Sequence, residues 1–148
     1  MSSLNRRRDL TLVVGTASSI FSATTPGHQR SDIHYAGCDD DLAALYEAAL
    51  CLAFPSKTKG FGIPPLEAMA GGRPVISLNA ASLVEVGGDA VAYVDPDHGD
   101  GWRDAIIGLA GNLDLRTAMA TRGRRRAALF SWKRSARLYL NEILRLHA

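Results

Sequence analysis

Residues 54–72 constrain the fold more than any other part of this chain. They read in order as the end of a strand, a loop with Gly60 and Gly62, and a helix with Pro64 and Pro65 in its first turn. Glycine lets the backbone approach a ligand closely, and proline suits a first helical turn, where its missing N–H costs nothing. Since free amides and the dipole at a helix start favour an anion, the pattern predicts a phosphate-sized binding site.

The same helix is predicted to bury one face and to end at a glycine. Leu66, Met69 and Ala70 are expected to face a core, and the pair 71–72 is expected to end the helix. Glu67 then places a carboxylate one turn inside the helix, close to the predicted anion site. The stretch therefore combines a phosphate-sized site with a hydrogen-bond acceptor.

Short apolar runs alternate with helix-like segments along most of the chain. The runs predicted as strands are Leu10–Gly15, Ile33–Gly37, Leu50–Phe54, Arg73–Ser77 and Ala90–Val94. Continuous apolar runs are typical of parallel strands that are buried on both faces. We therefore predict an α/β fold, a single Rossmann-like domain of about five parallel strands with helices on both faces. Ligands of such sheets bind beyond the carboxyl ends of strands, where residues 59–67 are expected.

Several side chains are predicted to begin helices. Ser82 and Glu85 have the spacing of a capping box, Asp114 is expected to cap a helix that runs to about residue 129, and Ser131 is expected to cap the last helix. An apolar stripe follows along that last helix, and Trp132 is predicted to anchor it in the core.

The length of the chain suits a single domain, and its charge argues against a nucleic-acid-binding protein. The 148 residues, of which 47% are hydrophobic, suit one domain; residues 1–9 are predicted to be a basic tail and residues 10–148 the domain. The net charge is only +2, and the arginines within 122–126 lack the interleaved aromatics of a single-strand binding surface. We therefore predict a solvated arginine face and no nucleic-acid partner.

The apolar runs and cysteines bear on the cellular location. No apolar run reaches the roughly 18 residues that a transmembrane helix needs. Cys38 and Cys51 lie beside apolar residues, so small packing residues are favoured over a disulfide or a metal pair. A reducing cytoplasm is the expected location.

The order of the motifs resembles one family. Residues from about 10 to 143 are similar to the C-terminal, donor-binding domain of the group 1 retaining glycosyltransferases, which have the GT-B fold. The matching stretches are Leu12–Gly15, Ala36–Gly37, Asp41–Ala49, Pro55–Ser56, Gly60–Gly72, Pro74–Ile76, Ser82–Val86, Gly88–Ala90, Asp95–Pro96 and Phe130–Trp132. The most specific of them is Gly-Phe-Gly-Ile-Pro-Pro-Leu-Glu-Ala-Met-Ala.

This resemblance implies a site for a nucleotide-diphosphate-sugar. The positions that match the family's donor-binding residues are Lys59, Gly60, Phe61, Gly62, Ile63, Glu67, Gly37 and Cys38. In the family, amides of the Gly-Phe-Gly turn meet the diphosphate and the sugar, and backbone groups near residues 37–38 hold the base. The glutamate that matches Glu67 accepts hydrogen bonds from the ribose hydroxyls, which suits an acceptor-only carboxylate. The resemblance implies no obligatory metal or other cofactor, and it identifies no catalytic residue.

Two departures leave the activity open. Lys59 stands where the family has a glutamate that contacts the transferred sugar, and a lysine cannot accept hydrogen bonds. A GT-B enzyme also has an N-terminal domain, which this chain is expected to lack together with the first strand and helix of the donor domain. We expect a retaining glycosyltransferase, or part of one, that pairs with a separate N-terminal half or with itself. The alternative is an inactive remnant or a nucleotide- or partner-binding module.

Overall fold

The computed structural model describes residues 12–15, 33–36, 42–57, 61–95, 97 and 99–147. The chain forms two compact units, Met1–Ala44 and Leu45–Ala148. In the first unit, β1 (Leu12–Gly15) and β2 (Ile33–Ala36) pair in parallel. Both strands lie within runs that the sequence predicts as strands.

The rest of the chain continues the alternation of helices and strands. The elements are α1 (Leu42–Ala48), β3 (Leu52–Phe54), α2 (Ile63–Ala70), β4 (Val75–Leu78), α3 (Ala81–Gly87), β5 (Val91–Val94), α4 (Gly99–Gly111), α5 (Leu113–Ala127) and α6 (Trp132–Leu146). Strands β3, β4 and β5 form a parallel sheet in that order. The predicted α/β fold is confirmed. Among the described helices, none is both long enough and apolar enough to cross a membrane.

The three-stranded sheet has a core on each face. All four residues of β4 are buried, and successive side chains of a strand point to opposite faces. Val75 accordingly packs with Ala68 and Met69 of α2, whereas Ile76 packs with Leu109 of α4 and with Met119. The sheet therefore has helices on both faces, as predicted.

The start of α3 differs from the prediction. The helix begins at Ala81, and its N-cap is Ala80, whose methyl group cannot accept a hydrogen bond. Ser82 lies inside the helix, so the predicted capping box is wrong. The chain leaves β4 in an extended conformation and starts the helix two residues earlier than the Ser-Leu-Val-Glu spacing suggests.

The N-cap predicted for α5 is wrong, and the N-cap predicted for α6 is confirmed. Asn112, not Asp114, caps α5: its side-chain oxygen accepts a hydrogen bond of 2.9 Å from the Leu115 amide. Asp114 lies in the first turn, where its charge suits the helix dipole. Ser131 caps α6 as predicted, since its hydroxyl accepts from the Arg134 amide at 3.2 Å.

Helix α6 does not bury its apolar stripe in this structure. Trp132 is 82% exposed, and Tyr139, Leu140 and Ile143 are exposed as well. The prediction that Trp132 anchors the core is therefore wrong. Helical spacing shows that one face of α6 is apolar, but it does not show which surface that face meets.

Candidate functional site

The first turn of α2 lies at the carboxyl edge of the three-stranded sheet. It follows β3 through residues 55–62, and α3 follows β4 at the same edge because the strands are parallel. Ser77, which is 1% exposed, donates a hydrogen bond of 3.5 Å to the carbonyl of Phe54 and joins the ends of β3 and β4. The predicted anion site is thus placed where α/β sheets bind ligands.

Gly62 sets the entry of the chain into α2. It is the N-cap, with φ 86° and ψ 51°, which is the left-handed conformation that side chains disfavour. A Cβ at this position would lie 2.9 Å from Cδ2 of Leu83. The backbone angle therefore favours glycine at this turn, and a larger residue would also require the end of the Leu83 side chain to shift.

The two prolines decide which amides α2 offers. Pro64 and Pro65 carry no N–H, and the Leu66 amide donates to the Gly62 carbonyl at 3.4 Å. The amides at this end that can face a ligand therefore belong to residues 61–63. This places the donors at Phe61, at the N-cap Gly62 and at Ile63, the first residue of α2.

Glu67 extends from the exposed side of α2 and has a neighbour that the sequence did not indicate. Tyr46 of α1 packs against the core cluster that includes Ala68 and Met69, the two residues that follow Glu67. Burial, together with the negative charge of nearby Glu67, raises the pKa of Tyr46 from 10.0 to about 12. Helical spacing identifies Tyr46 only as part of a packed face of α1, because the contact depends on how α1 and α2 meet.

Packing against α5 holds α2 in place. Met69 and Ala68 are fully buried, whereas Ala70 is exposed, so Ala68 takes the core position expected for Ala70. A Cβ on Gly123 of α5 would lie 3.3 Å from Cγ of Met69, which shows how closely the helices approach. The C-cap of α2 is Gly71, as predicted.

A surface pocket adjoins the turn before α2. Phe61 is 51% exposed, and its ring meets the Phe130 ring edge-on, with 5.9 Å between centroids and 80° between planes. The pocket has a volume of about 290 Å³ and is lined by Phe61, Ser82, Glu85, Val86, Arg126 and Phe130. One of the predicted donor-site residues thus forms part of a pocket wall.

The arginines of α5 correct the prediction of a solvated face in part, since Arg124 and Arg125 are exposed but Arg122 and Arg126 bind backbone carbonyls. Arg126 donates to the carbonyls of Val86, at 2.8 Å, and of Glu85. Arg122 donates to the carbonyl of Asp89 at 3.2 Å. Carbonyls at the end of a helix lack partners within it, so these arginines tie α5 to the end of α3 and to the turn after it.

Four predicted site residues lie outside the described residues: Gly37, Cys38, Lys59 and Gly60. Their roles, like the ligand contacts expected of residues 61–63 and Glu67, stay predictions. Cys51 packs against the core formed around Ile76, and burial raises the pKa of its thiol. The packing role predicted for Cys51 is confirmed.

Comparisons with known proteins point to one family. The family model for glycosyl transferases group 1 matches residues 2–112. O-antigen chain mannosyltransferase B of Escherichia coli is 39% identical over 109 residues, which are 72% of this chain and 29% of that protein. D-inositol 3-phosphate glycosyltransferase of Salinispora arenicola is 40% identical over 98 residues, 65% of this chain and 22% of that protein.

A third relative matches more of the present sequence. Serotype-specific mannosyltransferase WbdA of Escherichia coli is 33% identical over 139 residues, 84% of this chain and 16% of that protein. The chain therefore spans less than a third of the length of each of these relatives.

Proposed function

Because the chain belongs to the group 1 glycosyltransferases, we propose that it binds the nucleotide-diphosphate-sugar donor of a glycosyl transfer with retention of configuration. The observation that carries this proposal is the start of α2. Gly62 turns the backbone there in a left-handed conformation at the carboxyl edge of the sheet, and Glu67 follows one turn later. An anion-binding turn beside a carboxylate suits a ligand that has both phosphates and vicinal hydroxyls.

Each part of this site has a stated role in the proposal. The amides of residues 61–63 donate to the diphosphate, and the dipole of α2 adds a partial positive charge there. The carboxylate of Glu67 accepts hydrogen bonds from the two ribose hydroxyls. Backbone groups near Gly37 and Cys38 hold the base. Donors that are fixed in advance stabilise the negative charge on the departing diphosphate, and the proposal needs no metal for this step.

Transfer, unlike donor binding, needs a second surface. Glycosyl transfer requires donor and acceptor to be held together in a preorganised site that excludes water. A single turn at the edge of one sheet offers only the donor half. We therefore include in the proposal an acceptor-binding partner, either another domain, a separate chain or a second copy.

Lys59 favours a second candidate function. It occupies the position at which the family has a glutamate that accepts hydrogen bonds from the transferred sugar, and its ammonium group only donates. A positive charge beside the diphosphate would favour nucleotide binding while removing that contact with the sugar. The second candidate is therefore a module that binds a nucleotide without transferring a sugar.

The names of the relatives suggest which donor to test first. Two of the three relatives described above are mannosyltransferases. A nucleotide diphosphate linked to mannose is therefore our first candidate for the donor. Comparing the affinity for the free nucleoside diphosphate with that for its mannose derivative separates recognition of the nucleotide from recognition of the sugar.

Calorimetry with uridine, guanosine and adenosine diphosphates and their mannose or glucose derivatives tests the proposal. Glu67→Ala should weaken binding by about 1–3 kcal/mol, the cost of losing a charged hydrogen-bonding partner. Glu47→Ala is the matched control, because Glu47 is an exposed glutamate on α1 and should leave the affinity unchanged. A chelator should have no effect on binding.

Three results separate the candidates. Failure of every nucleotide to bind at millimolar concentration overturns donor binding. Binding of free diphosphates with no gain from any attached sugar favours the nucleotide-binding module. An affinity that is unchanged in Glu67→Ala shows that Glu67 is structural.

A further inference from the structure

The turn at residues 61–63 is in contact with side chains on two sides. On one side the backbone of Gly62 lies against Leu83 of α3, which is 3% exposed: a Cβ on Gly62 would be 2.9 Å from Cδ2 of Leu83. On the other side the ring of Phe61 meets the ring of Phe130, which lies between α5 and α6. Amides that are to bind a ligand cannot also hold the turn together, so these side-chain contacts have to fix its direction.

The contact between the two rings depends on their orientation. Their centroids are 5.9 Å apart and their planes meet at 80°. In this edge-to-face arrangement the positive edge of one ring meets the negative face of the other, which adds to the stabilisation from burial. Phe61 is 51% exposed, so burial alone holds it only in part. The ring of Phe130 therefore supplies an attraction that also sets the direction of Phe61.

Phe130 is itself held in place by the body of the domain. The guanidinium carbon of Arg126 lies 5.4 Å from the centre of its ring. The same guanidinium donates to the carbonyls of Val86, at 2.8 Å, and of Glu85. These contacts connect Phe130 to both α3 and α5. In the ring pair, Phe130 is thus the fixed support and Phe61 is the residue that it supports.

A fixed Phe61 matters because its own amide is one of the proposed phosphate donors. Donors that already point at the ligand position bind an anion without the entropic cost of ordering the loop first. Gly62 follows, and a glycine restricts its own backbone less than any other residue. A contact that restrains Phe61 therefore limits the motion of the turn at the residue before this glycine.

We propose that Phe130 is a positioning residue, whose ring holds Phe61 and thereby keeps the amides of residues 61–63 in the direction that binds the diphosphate of a nucleotide. This inference rests on the proposed function and adds to it a residue that acts through Phe61. It gives the segment between α5 and α6 a part in donor binding, although that segment is distant in sequence from the turn.

Substitutions in the ring pair test this role. Phe130→Leu keeps most of the apolar volume and removes one ring, and Phe61→Leu removes the other ring at an exposed position where the fold has little to lose. Phe130→Tyr keeps the ring and serves as the conservative variant. Leu129→Ala is the matched control, because Leu129 is the adjacent residue and is 52% exposed. Calorimetry measures binding of guanosine and uridine diphosphate to the full chain, and NMR relaxation measures the order of its backbone amides without ligand.

The expected result links affinity to the order of the turn. Phe130→Leu and Phe61→Leu should each weaken diphosphate binding about 2- to 10-fold and lower the order parameters of amides 61–63 in the ligand-free chain. The double variant should lose no more affinity than either single variant, because both act through one contact. Phe130→Tyr should retain affinity and order, and Leu129→Ala should match the wild type in both.

The other results overturn the inference. Wild-type affinity in Phe130→Leu and Phe61→Leu, or weaker binding with unchanged order of amides 61–63, shows that Phe130 does not position the turn. An equal loss in Leu129→Ala assigns the effect to the whole segment rather than to the ring. If Phe130→Leu does not fold, Phe61→Leu decides by the same two measurements.

Failure of the proposed function gives a different pattern. If the wild-type chain binds neither diphosphate, donor binding is wrong and the role of Phe130 in it falls as well. Loss of amide order in the ligand-free Phe130→Leu chain would then show that the ring contact holds the turn for a purpose other than nucleotide binding.

Discussion

The guanidinium carbon of Arg126 lies 5.4 Å from the centre of the Phe130 ring. The same guanidinium donates to the carbonyls of Glu85 and Val86 near the end of α3. One side chain therefore joins α3, α5 and the aromatic ring that borders the pocket beside Phe61. A cation over an aromatic face adds an electrostatic attraction to these hydrogen bonds.

This arrangement predicts that Arg126→Met destabilises the fold. The methionine keeps most of the aliphatic stem but loses both hydrogen bonds and the cation, so the free energy of unfolding should fall by about 1–2 kcal/mol. Denaturant titration measures the change. Arg125→Met, at an exposed position of the same helix, should change stability by less than about 0.5 kcal/mol; equal losses in the two variants would contradict the assigned contacts.

Gly62→Ala should destabilise the chain although it adds only a methyl group. The left-handed backbone costs a non-glycine residue roughly 1–2 kcal/mol, and the new Cβ would approach Leu83. We expect a loss of about 1–3 kcal/mol in the free energy of unfolding, together with weaker binding of any nucleotide that the turn holds.

Gly108→Ala is the control for Gly62→Ala, because the same substitution should here increase stability. Gly108 lies within α4, and a Cβ there would have no neighbour within 4 Å. Alanine favours a helix more than glycine does, so this variant should gain about 0.5–1 kcal/mol. If Gly62→Ala also gains stability, the left-handed turn described above is wrong.

Burial of Tyr46 beside the negative charge of Glu67 should make stability depend on pH in the alkaline range. The raised pKa of Tyr46 means that the folded state keeps the phenolic proton where the unfolded state has lost it. The contribution is therefore complete below pH 10 and is lost as the pH rises from 10.0 to about 12.

Unfolding free energies measured between pH 8 and pH 11 test this linkage. The stability difference between the wild type and Tyr46→Phe should shrink as the pH rises through about 10. Glu67→Gln removes the negative charge that helps to raise the pKa of Tyr46 in the folded state, so this variant should lose less stability than the wild type over the same pH range. A pH-independent difference between the wild type and Tyr46→Phe would show that the hydroxyl has no altered ionisation.

Trp132 and Met69 should respond in opposite ways to truncation. Trp132→Ala should change the free energy of unfolding by less than about 0.5 kcal/mol, since the indole is 82% exposed. Met69→Ala should cost about 2–5 kcal/mol, because it leaves a cavity between α2 and α5. Thermal or denaturant unfolding measures both; a large loss in Trp132→Ala would mean that α6 packs against a surface of this chain.

The alternation of strands and helices was determined by local sequence patterns. Apolar runs of a few residues, closed by glycine, proline or polar residues, mark buried parallel strands wherever they occur. Strands β1 to β5 each overlap a predicted run for this reason. The turn at Gly62 was also predictable. Glycine permits a tight turn after a strand, and the prolines two and three residues later favour the first turn of a helix.

The contacts between distant segments were decided only by the tertiary structure. Spacing along α1 indicates that Tyr46 lies on a packed face but not that this face meets Ala68 and Met69 of α2, because that contact depends on the packing of two helices. The same limit explains Arg126, whose carbonyl partners lie 40 and 41 residues away, and Trp132, whose apolar face meets no core. Sequence patterns specify which groups a segment offers, and the packing of the elements decides which of those groups meet.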